Sequence, residues 1–386
     1  MKKIKLLNKI AAVGTDIFND GEYLVSADAE APEGIMVRSA DMTAMEFNPE
    51  LQAIARAGAG VNNIPVQRCA EEGIVVFNTP GANANGVKEL AIAALMLASR
   101  DIVGGVEWVK SLAGTENIAK QVEAGKSRFA GVEVEGKTIG VIGLGAVGGM
   151  VANAAKNLGM EVLGYDPYIS VEAAWSLSRA VKKASSYDEI FANSDYISIH
   201  APATPETKGM INAAAIAQMK DGVRIINLAR ADLVNAADLI AALESGKVAS
   251  YVTDFPTEET VGVKGIVTIP HLGASTAEAE DNCAVMAAKQ LREYLENGNI
   301  KNSVNYPEAS MPHSGDHRIC VLHRNIPNML SQISAAVSAE GVNIENMLNR
   351  SKKEYAYTIM EIGGEVPAAS VQKIYDINGV LRVNVY

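Results

Sequence analysis

Cysteine is scarce in this chain and scattered: Cys69, Cys283 and Cys320 lie far apart and form no C-x-x-C pair. That argues against a disulfide framework and fits neutral thiols in a reducing compartment. No metal site is expected. Long apolar runs are also missing, so no membrane-spanning segment is expected. The amino terminus, Met1-Lys2-Lys3-Ile4-Lys5-Leu6-Leu7, starts basic but lacks an apolar stretch of signal-peptide length. It reads as a first β-strand, and a cytoplasmic location is the expectation. Positive charge is in deficit as well, with 34 Lys and Arg against 45 Asp and Glu and a net charge of −11. Without a basic stripe to neutralise phosphates, nucleic acid is excluded as a partner. An acidic chain that handles an anionic substrate must place its arginines locally. What remains is ordinary for a soluble globular protein, 48% hydrophobic and 20% charged, and 386 residues allow two or three domains.

Against that background one hexapeptide stands out, Gly143-Leu144-Gly145-Ala146-Val147-Gly148. It follows an apolar run, Thr138 to Ile142, and precedes a helical pattern running to Asn157. Strand, G-x-G-x-x-G and helix together make a dinucleotide site. Gly143 turns the chain off the strand, Gly145 lets pyrophosphate approach the backbone, and Gly148 lets helix and strand pack closely. The helix amino terminus, with Ala146 and Val147 in its first turn, offers free N–H groups to the phosphates. Gly159 ends the helix, and a second strand, Met160 to Tyr165, delivers Asp166 near the spacing of a ribose-binding acid. A carboxylate there favours NAD over NADP.

The fingerprint comes late, so a good-sized domain precedes it. Short strands at Ile35–Val37, Ala53–Ala59 and Ile74–Phe77 alternate with helical stretches, which predicts a parallel sheet. Only a short stretch precedes Ile35, so one helix of that domain is expected to be missing. Glu89 to Val103 reads as an apolar helix leading into the cofactor domain, whose further strands are Tyr196–Ile199, Arg224–Leu228, Tyr251–Thr253 and Ile266–Ile269. Ser275-Thr276-Ala277-Glu278 has the form of a capping box and opens a long helix ending at Gly298. This helix is expected to return to the first domain, making it discontinuous. After a polar linker, 302 to 315, the pattern changes to βαββαβ. Its strands are Arg318–His323, Val342–Arg350, Tyr355–Glu361 and Val380–Tyr386. Its helices are Met329–Glu340, stopped by Gly341, and one opened by Pro367.

Hydride transfer at a hydroxy acid needs a base for the hydroxyl proton, a cation for the carboxylate and a group that tunes the base. Arg230, Glu258 and His271 each follow a predicted strand, and carboxyl ends of strands line the ligand crevice of open α/β sheets. Arg230 offers a planar fork matched to a carboxylate. His271 suits proton exchange near neutral pH. Glu258 could hydrogen-bond the imidazole. Each also has a structural alternative: surface ion pairing for Arg230, a solvated loop acid for Glu258, and a capping or core histidine for His271.

Several segments in order resemble the D-isomer-specific 2-hydroxyacid dehydrogenases. They are Arg56-Ala57-Gly58-Ala59-Gly60-Val61-Asn62-Asn63, Phe77-Asn78-Thr79-Pro80-Gly81, the glycine fingerprint, Ser194 to Pro202, Asn227 to Arg230, and Pro270-His271-Leu272-Gly273-Ala274-Ser275-Thr276. The resemblance implies an α/β protein: a Rossmann-type NAD-binding domain over 91–274, and a flavodoxin-like, discontinuous substrate domain over 1–90 and 275–306. It implies NAD-dependent oxidation of a phosphorylated 2-hydroxy acid, 3-phosphoglycerate, with hydroxypyruvate or glyoxylate reduction, or non-catalytic NAD sensing, as rival readings. Arg230 would bind the substrate carboxylate and carbonyl, His271 would be the acid/base and Glu258 its partner. Arg38, Ser39, Ala59, Gly60 and Asn83 would contact substrate. His200, Ala201, Pro202, Ala229, Asp254 and Gly273 would join the fingerprint around NAD. The family places an aspartate five residues before the catalytic glutamate. Here that place is Thr253, with Asp254 beside it. Residues 317–386 resemble an ACT domain, a ferredoxin-like ligand-binding module. The resemblance carries His323, Asn325 and Asn343 over as contacts for L-serine, with Asn328 where a glycine is common. A homodimer or homotetramer is implied.

Overall fold

The computed structural model describes all 386 residues, in two compact units: Met1–Asn83 with Ala277–Tyr386, and Ala84–Thr276. The first unit begins with β1 (Lys2–Leu6), a one-turn helix α1 (Ala12–Thr15), β2 (Tyr23–Ser26), β3 (Gly34–Val37), β4 (Ala53–Arg56), α2 (Val66–Glu71) and β5 (Val75–Phe77). These strands form one parallel sheet in the order β2-β1-β3-β4-β5, the order of a flavodoxin-like sheet. No helix forms between β2 and β3 or between β3 and β4. The expected strand Ala53–Ala59 stops at Arg56, because Gly58 adopts a positive φ of 152° and turns the chain away.

The second unit opens with α3 (Ala84–Ser99), α4 (Ile102–Ser111) and α5 (Ile118–Gly125). It then alternates β6 (Thr138–Ile142), α6 (Ala146–Asn157), β7 (Glu161–Tyr165), α7 (Val171–Ser176), β8 (Lys182–Lys183), α8 (Tyr187–Asn193), β9 (Tyr196–Ile199), α9 (Ala213–Gln218), β10 (Val223–Asn227), α10 (Ala236–Glu244), β11 (Val248–Thr253) and β12 (Ile266–Thr268). The seven strands are parallel in the order β12-β11-β10-β9-β6-β7-β8. Apolar strands such as Tyr196–Ile199, buried along their whole length, can exist only with both faces covered. The strand order reverses between β6 and β9, and that switch point opens a crevice at the carboxyl ends of the strands.

The chain returns to the first unit through α11 (Ala277–Asn297), which packs on α1, β3 and β4. Buried Ala284, Ala287, Ala288 and Leu291 line its inner face, at the three-to-four-residue spacing of an amphipathic helix. Then follow β13 (His317–Arg324), α12 (Met329–Ser338), β14 (Asn343–Lys352), β15 (Tyr355–Gly363), α13 (Ala368–Tyr375) and β16 (Val380–Val385). This is a βαββαβ order with an antiparallel sheet β14-β15-β13-β16. Pro367 stands at the cap position just before α13. One face of this sheet carries Ile319, Val321, Met360 and Ile362 against the two helices. The opposite face, with Cys320, Leu322, Tyr355, Tyr357 and Ile359, shares a core with the first sheet and α11. The segment 302–315 is structural rather than a free tether. Asn305 is buried, accepts from Val76 N at 2.9 Å and donates to Ile74 O at 2.8 Å, so it completes the edge of β5.

Candidate functional site

The fingerprint loop follows β6 at the switch point. Gly143 has φ +85°, and a Cβ there would meet the His200 carbonyl carbon at 2.8 Å. A Cβ on Gly148 would meet the Gly143 carbonyl oxygen at 1.8 Å, whereas one on Gly145 would meet nothing within 4 Å. The loop is therefore sterically closed at its two ends and open in its middle, the surface a pyrophosphate needs. No side chain caps α6, so its first N–H groups, at Ala146 and Val147, stay free for an anion. These residues fit NAD.

Asp166 lies at the end of β7. Its Oδ2 accepts from Leu144 N at 2.9 Å and its Oδ1 from Tyr168 N at 2.8 Å, so the carboxylate is locked onto the fingerprint loop and keeps one lone pair per oxygen for a ribose. His200, Ala201 and Pro202 follow β9. The His200 ring bonds Ser198 Oγ at 2.8 Å, and burial pushes its pKa down to about 4, which keeps it a neutral wall beside Gly143 and Gly148.

Three further loops follow β10, β11 and β12. Asn227, at the end of β10 and fully buried, shapes the first. Its Oδ1 accepts from Ala229 N and Arg230 N, and its Nδ2 donates to Arg230 O at 2.8 Å and to Tyr251 Oη at 3.1 Å. The Arg230 side chain is exposed and donates to Ala229 O at 2.6 Å. Phe255 follows β11, with its ring centroid 4.6 Å from that of His271 and 5.7 Å from the Arg230 guanidinium carbon. One aromatic ring thus separates the fork donor from the imidazole.

Asp254 is 1% exposed, and its Oδ1 has no hydrogen-bond partner. Burial pushes its carboxyl above the usual range, while the charges of His271 and Arg230 and the Gly273 N–H oppose the rise. An unpartnered buried oxygen beside the exposed Arg230 and His271 side chains marks a place for a donor from a ligand. Glu258 behaves otherwise. It is exposed on the turn from Thr257 to Thr260, whose hydroxyls bond each other at 3.1 Å, and no hydrogen bond or ion pair links it to His271. His271 acts electrostatically on Asp254.

In the first unit, Arg38, Ser39 and Ala40 turn over the carboxyl end of β3. Their three successive N–H groups donate to Asn8 Oδ1 at 3.0, 3.0 and 2.9 Å. Arg38 pairs with Glu280 of α11 at 2.6 Å, and both side chains are 43% exposed. Arg56 donates through Nε to Arg38 O at 3.2 Å, bringing a second guanidinium to the same strand ends. Ala59 and Gly60 follow β4, with Ala59 O held by Asn78 Nδ2 at 2.6 Å. Asn83 is half-buried at the end of the Gly81 turn.

The carboxyl-terminal candidates separate. His323 is buried, its ring nitrogens 2.8 Å from Arg324 O and 2.9 Å from Thr358 Oγ1, so both are engaged within the sheet. Asn325 is exposed and donates to Lys353 O at 3.0 Å, and Asn343 is exposed at the start of β14. Asn328 has φ 66°, the left-handed geometry that asparagine tolerates.

Sequence reasoning named the strand ends but missed Asn8, Asn227 and Phe255. The one signal available for Asn227 was an amide closing an apolar strand, which has to find partners once buried.

Comparison with known proteins agrees with this geometry. Residues 92–276 match the family model described as D-isomer specific 2-hydroxyacid dehydrogenase, NAD binding domain. A D-3-phosphoglycerate dehydrogenase of Synechocystis is 35% identical over 326 residues, covering 80% of this chain and 56% of that protein. One of Haemophilus influenzae is 30% identical over 359 residues, covering 88% of this chain and 82% of that protein. The crystal structure of an NAD+-bound 3-phosphoglycerate dehydrogenase of Entamoeba histolytica superposes with a TM-score of 0.61 at 26% identity, over 79% of this chain and 98% of the other. The chain belongs to the D-isomer-specific 2-hydroxyacid dehydrogenase family. It spans little more than half the length of the Synechocystis relative and most of the Haemophilus one.

Proposed function

We propose that this protein oxidises D-3-phosphoglycerate to 3-phosphohydroxypyruvate with NAD+, the entry step of a phosphorylated route to L-serine. The observation that carries the reading is the trio on the strand ends of the second unit: Arg230 and His271 either side of Phe255, with buried Asp254 adjoining. Relatives named for this activity, similar over most of the chain, support the substrate.

The fingerprint glycines, the α6 amino terminus, Asp166, His200 to Pro202, Ala229, Asp254 and Gly273 would hold NAD, which when bound supplies the hydride acceptor. Arg230 would clamp the substrate carboxylate through its planar fork and polarise the oxygen on C2. His271 would take the C2 hydroxyl proton as hydride departs and return it in the reverse direction. Glu258 would partner the imidazole, and the charge of buried Asp254 would add to the stabilisation of its protonated form. The backbone amides of Ala59 and Gly60, with Asn83, would hold the carboxylate end, and Arg38 and Ser39 the phosphate. Exposed Ile102, Val103, Val106 and Val109 on α4 form an apolar stripe suited to a homodimer contact. The carboxyl-terminal sheet is proposed as an ACT-type module, with His323, Asn325 and Asn343 the contacts for L-serine.

The test is loss of NADH absorbance with 3-phosphohydroxypyruvate, hydroxypyruvate and glyoxylate in parallel. Preference for the phosphorylated acid is expected. His271→Asn should lower kcat by about 10²–10⁴-fold, and Arg38→Ala should raise KM for the phosphorylated acid alone. Equal use of all three acids by the unmodified protein would favour the rival reductase. Absence of turnover would favour NAD sensing.

A further inference from the structure

The first unit contains a second concentration of positive charge unconnected with Arg38. On β14, Arg350 and Lys352 alternate with Ser351, so both cations project from the face that carries Leu348 towards the segment 302–308. Between that segment and the strand lies a cavity of about 320 Å³, lined by Asn302, Ser303, Glu308, Arg350, Ser351 and Lys352.

The cations there are uncompensated. Lys352 donates to Ser303 O at 3.0 Å and has no carboxylate partner, and neither Arg350 nor Lys352 joins an ion pair. Burial pushes the Lys352 ammonium down, and the only charge acting on it is the like charge of Lys353. Lys2 makes the contrast. It is also partly buried, but Glu296, Glu33 and Glu22 stabilise its charge. In a chain with 45 acidic residues, half-buried Lys352 and exposed Arg350 without a carboxylate partner form a positively charged groove that favours an anion. Glu308 lines the cavity but is exposed and pairs with neither cation.

The hydrogen-bonding inventory narrows the ligand. Ser303 Oγ already donates to Asn305, and the Asn302 amide donates to Gln290. The donors that remain are the Arg350 fork and the other protons of the Lys352 ammonium, since the Ser351 side chain projects from the opposite face of the strand. Two cations match a dianion with several acceptor oxygens, and a guanidinium fork engages two of them at once. The volume leaves room for a small group attached to it.

We propose that this groove binds inorganic phosphate or a small phosphate monoester, and that the bound anion ties the segment 302–308 to β14. It is a site independent of substrate turnover.

The probe is inorganic phosphate, titrated by calorimetry into the full-length protein at low ionic strength. The Arg38→Ala background removes binding at the proposed substrate site. There, phosphate is expected to bind with unit stoichiometry, raise Tm and weaken as salt rises. Arg350→Gln and Lys352→Gln should each reduce that affinity about tenfold or more, while leaving NADH turnover by proteins with intact Arg38 unchanged. Glu308→Gln should tighten binding. 3-Phosphoglycerate and glycerol phosphate, tested alongside, distinguish the free anion from a monoester. Absence of phosphate binding in the Arg38→Ala protein would overturn the proposal, as would binding that survives both β14 substitutions. Failure of the Arg38 reading would show differently, as an unchanged substrate KM in Arg38→Ala with the groove still titrating.

Discussion

Asn227 shows how one residue sets a reactive geometry without touching substrate. Its amide bonds on both sides fix the backbone of Ala229 and Arg230, and so the direction in which the guanidinium leaves the strand end. Asn227→Ala would leave buried backbone groups unpaired at about 1–3 kcal/mol. We expect kcat/KM for the keto acid to fall by at least tenfold while KM for NADH moves little. Steady-state kinetics on a variant whose folding is confirmed by circular dichroism would check this, and equal losses in both parameters would mean general collapse of the crevice. The placement of Arg230 and His271 after strands was legible in the sequence, because apolar runs followed by polar residue types are a local pattern. Glu258 was read from its place after a predicted strand and from the resemblance, and neither says where a turn points its side chains. Glu258 is exposed on the Thr257–Thr260 turn while Asp254 is buried.

At the level of the element, β6, its glycine turn and α6 form one rigid piece. The three glycines have separate jobs, and the structure ranks them. Gly148 is the least replaceable, since any Cβ there would fall 1.8 Å from the Gly143 carbonyl oxygen and force helix and strand apart. Gly145 stands in open space, so a small side chain there would harm only the ligand. Gly148→Ala should therefore lower Tm and weaken NADH binding together. Gly145→Ala should weaken NADH binding, read by fluorescence titration, with Tm unchanged. Identical behaviour of the two variants would contradict this division. The element was legible almost to the residue, because strand, turn and helix are contiguous and each has its own periodicity. The first sheet was less so. Its shortened connections leave few helical signals, and the strand after Ala53 ends on a backbone angle that composition does not reveal.

Across the first unit, the carboxyl-terminal sheet is tied down by a buried charge cluster. Arg318 and Glu361 are fully buried and paired at 2.5 Å. Arg318 also donates to Asn297 O, Asn299 Oδ1 and Met311 O, and so joins the end of α11 and the following segment to β13. Burial pushes the Glu361 carboxyl up, but the Gly315 and Ser314 N–H groups and Arg318 outweigh it and hold the pKa below the ordinary value. A depressed carboxylate stabilises the fold above its unfolded pKa and loses that contribution as pH falls through the folded value. Tm should therefore drop on acidification below the usual carboxylate range. Glu361→Gln should cost about 3–5 kcal/mol at neutral pH by leaving Arg318 uncompensated, and should flatten the acid limb. Thermal melts of both proteins from acid to neutral pH measure it, and parallel curves would refute the assignment.

The sequence alone determined the strand–glycine–helix cofactor element, the alternation that makes two parallel sheets, the βαββαβ tail and the reactive side chains at strand ends. All of these are written in neighbouring residues, through periodicity, turn chemistry and caps. Tertiary structure decided that Asp254 is buried while Glu258 is exposed, that His323 is bonded within the sheet, that segment 302–315 is part of a core, and that Arg350 and Lys352 share a groove without an ion-pair partner. Each depends on residues far apart in the chain meeting in a low-dielectric interior, where burial and pairing, rather than residue type, set what a side chain can do.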